Sequence, residues 1–260
     1  MINFLRVVGV IAATTLGAGM FALPYVFMKS GWIVGVFYLV ALGAVTVFAH
    51  VLYLRTLEAV EGRETLLGLA RQKLGKLGYY IGFFSIIIGL ILALVIYLIL
   101  GVGFVKLFAP SASATFTLLA FWLASVLPLL LTERRILWFE VLGILFMASI
   151  IFVIFASTLP VNGTFDIPSF DPTNIFLPFG AVLFSLAGWT AIEPLYRENK
   201  EAGGVGGTGV PAAAIFWGTV AVAVLYLLFI WGIFGSAASI TPDTLSGLNN
   251  WSFWKLAILG

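Results

Sequence analysis

The sequence has no cysteine, which excludes disulfide bonds, thiolate metal sites and cysteine nucleophiles. It has one histidine, His50, and no His-Glu-x-x-His pattern. An imidazole without partner ligands makes no zinc site, so His50 reads as a packed or interfacial side chain and no metal or enzyme centre is expected. Charge is scarce as well: Asp, Glu, Lys and Arg form 9% of the chain, against about 25% in a soluble domain. So few charges cannot cover the surface of a soluble protein of 260 residues. The formal net charge of +2 is too small to suggest a nucleic-acid partner, so the placement of charges matters more than their sum. What fills the chain is apolar, 62% of residues against roughly 45–50% usually. Lipid is the solvent that accepts such a surface.

A helix crossing a hydrocarbon core of roughly 30 Å needs about 20 mostly apolar residues. The sequence offers seven such stretches, at about 4–28, 31–54, 78–105, 114–132, 135–159, 175–195 and 210–235, and an eighth opens near Trp251 and is cut off at Gly260. The first is longer than the 7–15 apolar residues of a signal peptide and runs straight into the second, so it reads as a span. Trp32, Tyr53, Tyr79, Tyr80 and Trp138 sit near span ends, as an interfacial aromatic belt requires. The chain is therefore an all-α, multi-pass integral membrane protein whose partner is the bilayer.

Loop charges set an orientation. The loops after spans two, four and six hold Arg55, Arg63, Arg71, Lys73, Lys76, Arg134, Arg135, Arg197 and Lys200, whereas the loop after span five holds Asp166 and Asp171 and no basic residue. The positive-inside rule puts the basic loops and the N-terminus in the cytoplasm. The segment from Arg55 to Lys76 is polar with interspersed leucines and reads as a cytoplasmic loop containing a short amphipathic helix. The glycine run at 203–209 has no following Gly-Lys-Ser/Thr, so it is a linker and not a phosphate loop.

Two spans are interrupted in the same way. Span one carries TLGAGMFALP from Thr15 to Pro24, and span six carries SLAGWTAIEP from Ser185 to Pro194. Each has a small hydroxyl residue, leucine, small residues and a proline at the same offset. Glycine weakens a helix and proline removes one of its hydrogen bonds. Backbone opened in this way is tolerated in lipid only where protein or a water-filled cavity covers it. The two spans must also cross in opposite directions, and matched interrupted helices of that kind mark the binding site of a transporter. Close packing by small residues is the competing explanation for each break taken alone.

GAGMFALPYVFMKSGW, residues 17–32, resembles the first helix of amino-acid permeases of the amino acid–polyamine–organocation superfamily, nearest to the aromatic and auxin-type amino-acid permease branch. PFGAVLFSLAGWTAIEPLYRE, residues 178–198, is similar to the sixth helix of that branch. The resemblance implies a leucine-transporter-type fold of two inverted five-helix repeats. Residues 1–159 would be the complete first repeat and 175–260 a truncated second one, so the 260-residue chain alone is expected to show no uptake.

Residue reading and resemblance together give a site. N–H groups freed around Gly17, Ala18 and Gly19, at the positive end of a half-helix, suit a substrate carboxylate, and Thr15 beside them is a further substrate-binding residue. Carbonyls at Ser185 and Leu186, beside Gly188, suit an ammonium group. Gly89 of span three and Trp189 of span six would set side-chain selectivity. The substrate is then an amino acid, carried by a permease or symporter through rocking of helices around a midmembrane site. No cofactor is expected, and proton or sodium coupling stays open.

Glu193 is the ion-coupling candidate. It lies about 12 Å beyond Ser185 at 1.5 Å per residue, near the inner edge of the core. There it can bind and release a proton, or simply pair with Arg197 at (i, i+4) spacing. A structural or receptor-like membrane protein remains the alternative function, and the amino acid, the oligomeric state and the choice between plasma and bacterial inner membrane stay open.

Overall fold

The computed structural model describes residues 4–60, 65–127, 133–156, 158, 167–201 and 210–248, and within them every regular element is a helix. The end of the fourth predicted span (128–132), the linker at 203–209 and the stretch from Trp251 lie outside the described residues, as does Asp166.

The first apolar stretch becomes α1 (Phe4–Thr15), a 3-10 turn (Ala18–Ala22) and α2 (Leu23–Ser30), with a bend of 55° between the two arms. Pro24 does not cause the break. It occupies the first turn of α2, where a missing N–H costs nothing and the fixed φ suits a helix start. Gly31 follows at φ 93°, with Phe170 backbone atoms 2.7 Å from where its Cβ would stand. Both the left-handed conformation and the close approach require glycine there.

Next come α3 (Trp32–Ala59) and α4 (Leu66–Phe108), whose N-terminus is capped by the Thr65 side chain accepting from the Gly68 N–H. Gly75, at φ 73°, kinks α4 and separates a short first arm from the membrane span. That arm is the amphipathic helix read from the leucine pattern. Then follow α5 (Ala114–Val126) and α6 (Glu133–Ala156). The second interrupted stretch is α7 (Leu177–Ser185), a 3-10 turn (Trp189–Ala191) and α8 (Ile192–Glu201), and α9 (Ala212–Ser236) follows it.

Among the described residues, α3, α4 and α9 are each long and apolar enough to cross a membrane, as is the bent α1–α2 pair taken as one span. The α4 span keeps almost its whole apolar surface outward, with Leu94 and Ile99 each 62% exposed. Water would penalise that surface at about 25 cal/mol per Å², and hydrocarbon removes the penalty.

The centre of the bundle is α9, which packs against α1, α6, α3 and α2. Two glycines set the closeness of these contacts: a Cβ at Gly218 would stand 2.8 Å from Ile11, and one at Gly232 would stand 2.7 Å from Ile154. Lipid offers no hydrophobic gain for joining apolar helices, so van der Waals contact through small residues holds them together.

The two bent segments run in opposite directions. The second arm of the first, α2, lies against the first arm of the other, α7. At one end of the bundle Arg6 pairs with Glu198 at 2.6 Å, and Tyr53 meets Glu193 at 3.0 Å. At the other end the Trp32 and Ile33 N–H groups donate to the carbonyls of Pro168 and Ser169, and the Asp171 N–H donates to Ser30 at 2.9 Å. Arg55 and Arg197 therefore share one end, and Asp171 lies at the opposite one.

Candidate functional site

Where α4 passes the two breaks there is a cavity of about 390 Å³, within the size range of small-molecule sites. Thr15, Gly17, Ala18 and Gly19 form one wall, and Ser185, Ala187 and Trp189 form a second. The third wall is one face of α4: Ser85, Gly89, Ala93 and Tyr97 recur every four residues and all line it. A residue four further on lies one turn along the same helix face. Among the described residues, no Asp, Glu, Lys, Arg or His side chain lines the cavity.

Thr15 is 5% exposed, and its hydroxyl has no hydrogen-bond partner among the described residues. Its counterpart Ser185 is satisfied, donating to the Ala181 carbonyl at 2.7 Å. Tyr226 of α9, fully buried, places its hydroxyl 2.9 Å from the Thr15 carbonyl and 2.6 Å from the Ser185 carbonyl. These are the last carbonyls of α1 and α7, two negative dipole ends brought together. One hydroxyl proton serves both. Neither Tyr226 nor Tyr97 follows from the glycine–proline pattern. The signals for them were a phenol within an apolar span and the four-residue stripe of small residues on span three.

Three expected features differ in the structure. Leu186 is fully buried in the core, away from the cavity. Gly188 does not line the cavity either: a Cβ there would stand 2.0 Å from the Thr15 hydroxyl oxygen, so Gly188 makes room for Thr15. The carbonyls of Ser185 and Leu186 are also occupied, the first by Tyr226 and the second by the Gly188 N–H at 2.9 Å. An opened helix re-pairs its carbonyls with whatever donor lies nearest, because lipid supplies none. The Ala187 carbonyl takes part in none of these bonds.

Gly19 serves contact between the breaks, since a Cβ there would stand 2.6 Å from Ser185 Oγ and 2.7 Å from its Cα. Gly17 faces Tyr97, whose hydroxyl would lie 2.7 Å from a Cβ at that position. Gly89 faces open space. At the first break the earliest turn bond runs from the Met20 N–H to the Gly17 carbonyl. The N–H groups of Ala18 and Gly19 precede it and have no acceptor within the turn.

Glu193 does not line the cavity. Its carboxylate accepts from the Tyr53 hydroxyl at 3.0 Å and from Arg197 Nε and Nη2 at 3.1 and 2.8 Å. His50 is buried on α3. A larger hollow of about 1010 Å³ beside α9 is lined by apolar and aromatic side chains such as Trp32, Trp231 and Phe234, which offer a zwitterion no charge partner.

Residues 1–235 match the family model for transmembrane amino acid transporter proteins, a stretch that holds both breaks and all but the end of α9. The chain belongs to that family. No curated protein and no solved structure matches it. Membership makes this a multi-pass membrane transporter with amino acids as its substrate class, in a family of carriers and not of enzymes. The cavity lies wholly within the matched part of the transporter.

Proposed function

We propose that this transporter carries α-amino acids with uncharged side chains, held as zwitterions in the cavity between the two breaks. The buried, unpartnered Thr15 hydroxyl in a wall without charged side chains carries this reading. A buried polar atom without a partner costs about 1–3 kcal/mol, a cost that a ligand removes. The N–H groups of Ala18 and Gly19 receive the carboxylate at the positive end of the second half of span one. The Ala187 carbonyl and Thr15 Oγ1 receive the ammonium group. The substrate side chain then lies against Gly89 and Trp189. A charged side chain would enter a site with nothing to pair it, which burial penalises heavily.

Transport follows by alternating access, as α1–α2 and α7–α8 rock around this site in a leucine-transporter-type inverted-repeat arrangement. The first repeat is residues 1–159 and the second begins at 175. The N-terminus is cytoplasmic, the membrane is a plasma or inner membrane, and the auxin-type branch is the nearest part of the family. The antiparallel bent spans support the inverted-repeat arrangement, and Arg6 and Arg197 at one bundle end with Asp171 at the other support the orientation.

The test is thermal stabilisation of the purified protein by amino acids, together with Gly89→Leu. Alanine and leucine should both stabilise the native protein, by about 2.7 kcal/mol at a hundred times Kd, and so raise its unfolding midpoint, and lysine and glutamate should not. A Cβ at Gly89 would meet no atom within 4 Å, so Gly89→Leu has room to leave its helix in place and should keep the response to alanine and lose that to leucine. Stabilisation by lysine or glutamate sinks the uncharged-substrate reading. An unchanged leucine response in Gly89→Leu moves the side-chain pocket elsewhere. No response to any amino acid would favour a receptor-like or structural role.

A further inference from the structure

The first arm of α4 carries a surface that the amino-acid cavity does not explain. Leu69 anchors it, 5% exposed and packed among Leu54 and Leu57 of α3. Arg71, Gln72 and Lys73 stand outward. Gly75 then turns the chain, and Gly78 lets Leu74 fold back onto the start of the span, since a Cβ at Gly78 would stand 2.3 Å from Leu74 Cβ. The bend brings Arg71 beside Lys76, Tyr79 and Tyr80, and these four line a notch of about 190 Å³. Arg71 and Tyr79 also line an adjoining hollow with Thr65 and Gln72.

Two observations say what fits there. From Thr65 to Phe108 the sequence holds no Asp or Glu. Among the described residues no ion pair joins Arg71, Lys73 or Lys76 to an acid, and Glu61 and Glu64 lie outside them. The cations also alternate with bare leucines, Leu74 and Leu77 each being 72% exposed. A soluble anion would satisfy the cations and leave those leucines in water. An anionic phospholipid satisfies both, with its phosphate among the cations, its acyl chains over the leucines, and the tyrosines at headgroup level as interfacial tyrosines usually are.

We infer that the bend at Gly75 binds the headgroup phosphate of an anionic phospholipid, held by Arg71 and Lys76 between Tyr79 and Tyr80. The site is separate from the amino-acid cavity, and its test does not depend on transport. Native mass spectrometry of the purified protein in neutral detergent, titrated with phosphatidylglycerol or phosphatidylcholine, reads the retained lipid directly. Phosphatidylglycerol should be held more tightly than phosphatidylcholine. Each basic residue near a membrane surface contributes about fivefold to binding, so Arg71→Gln with Lys76→Gln should weaken retention about 30-fold.

The exchange Arg71→Lys with Lys76→Arg should keep retention. So should Lys106→Gln, which removes an exposed cation at the far end of the same helix. Equal retention of the two lipids, or undiminished phosphatidylglycerol in the double glutamine variant, overturns the inference. Displacement of the lipid by millimolar inorganic phosphate also overturns it, because the site would then belong to a free anion.

Discussion

The two breaks share a sequence pattern and divide the work unequally. In the first, Thr15 keeps a hydroxyl without a partner, and Gly17, Ala18 and Gly19 all line the cavity. In the second, Ser185 spends its hydroxyl on the preceding turn, Leu186 is buried in the core, and Gly188 makes room for Thr15. The contact is reciprocal: Gly19 receives Ser185, and Gly188 receives Thr15. Each hydroxyl residue fits against the glycine of the other break. Matching motifs in two antiparallel helices thus yield one seam with one face open to a ligand.

The seam can be broken outright with Gly19→Val, which forces atoms into the Ser185 backbone. Overpacking of this kind costs about 1–3 kcal/mol, and here it also separates the walls of the cavity. The expected result is a lowered unfolding midpoint and loss of amino-acid binding. A valine variant that binds normally would show that the breaks do not need this contact.

Tyr226→Phe comes next. It removes the donor shared by the last carbonyls of α1 and α7, leaving buried acceptors unpaired at about 1–3 kcal/mol. Thermal unfolding should register that loss in the variant. An unchanged midpoint would mean that another donor already serves both carbonyls.

The asymmetry between the hydroxyls is sharpened by comparing Thr15→Val with Ser185→Ala. A hydrogen bond to the ligand is worth about 0.5–1.5 kcal/mol, so Thr15→Val should weaken amino-acid affinity about 2- to 12-fold. Ser185→Ala loses only a bond within its own helix and should leave affinity unchanged. Equal effects would make the two breaks equivalent after all.

The smallest expected effect is that of Glu193→Gln. Glu193 is tied to Tyr53 and Arg197, and a partly exposed (i, i+4) pair contributes about 0.3–0.5 kcal/mol. Because Glu193 is a strut between α3 and α8, its replacement in a transport-competent form of the protein should leave the pH dependence of uptake unaltered. Loss of pH-driven uptake with exchange intact would instead make Glu193 the proton-coupling group.

The positions of the long apolar helices α3, α4 and α9 and of the bent first pair, the amphipathic arm before Lys76 and the two break points were legible in the sequence because each depends on local properties. Twenty apolar residues reach across a bilayer whatever surrounds them, and glycine weakens a helix wherever it stands. Of the residues expected at the site, Thr15, Gly17, Ala18, Gly19, Gly89, Ser185 and Trp189 meet at one cavity. Only the tertiary structure decided how the opened backbone was paired. Tyr226 claims the Ser185 carbonyl from 41 residues away, and Leu186 turns into the core because α9 is there to cover it. The proline offsets, conspicuous in the sequence, proved to be ordinary helix starts at Pro24 and Pro194. Buried hydrogen bonds are settled by whichever donor packing brings nearest, and in this bundle that donor came from a helix outside both motifs.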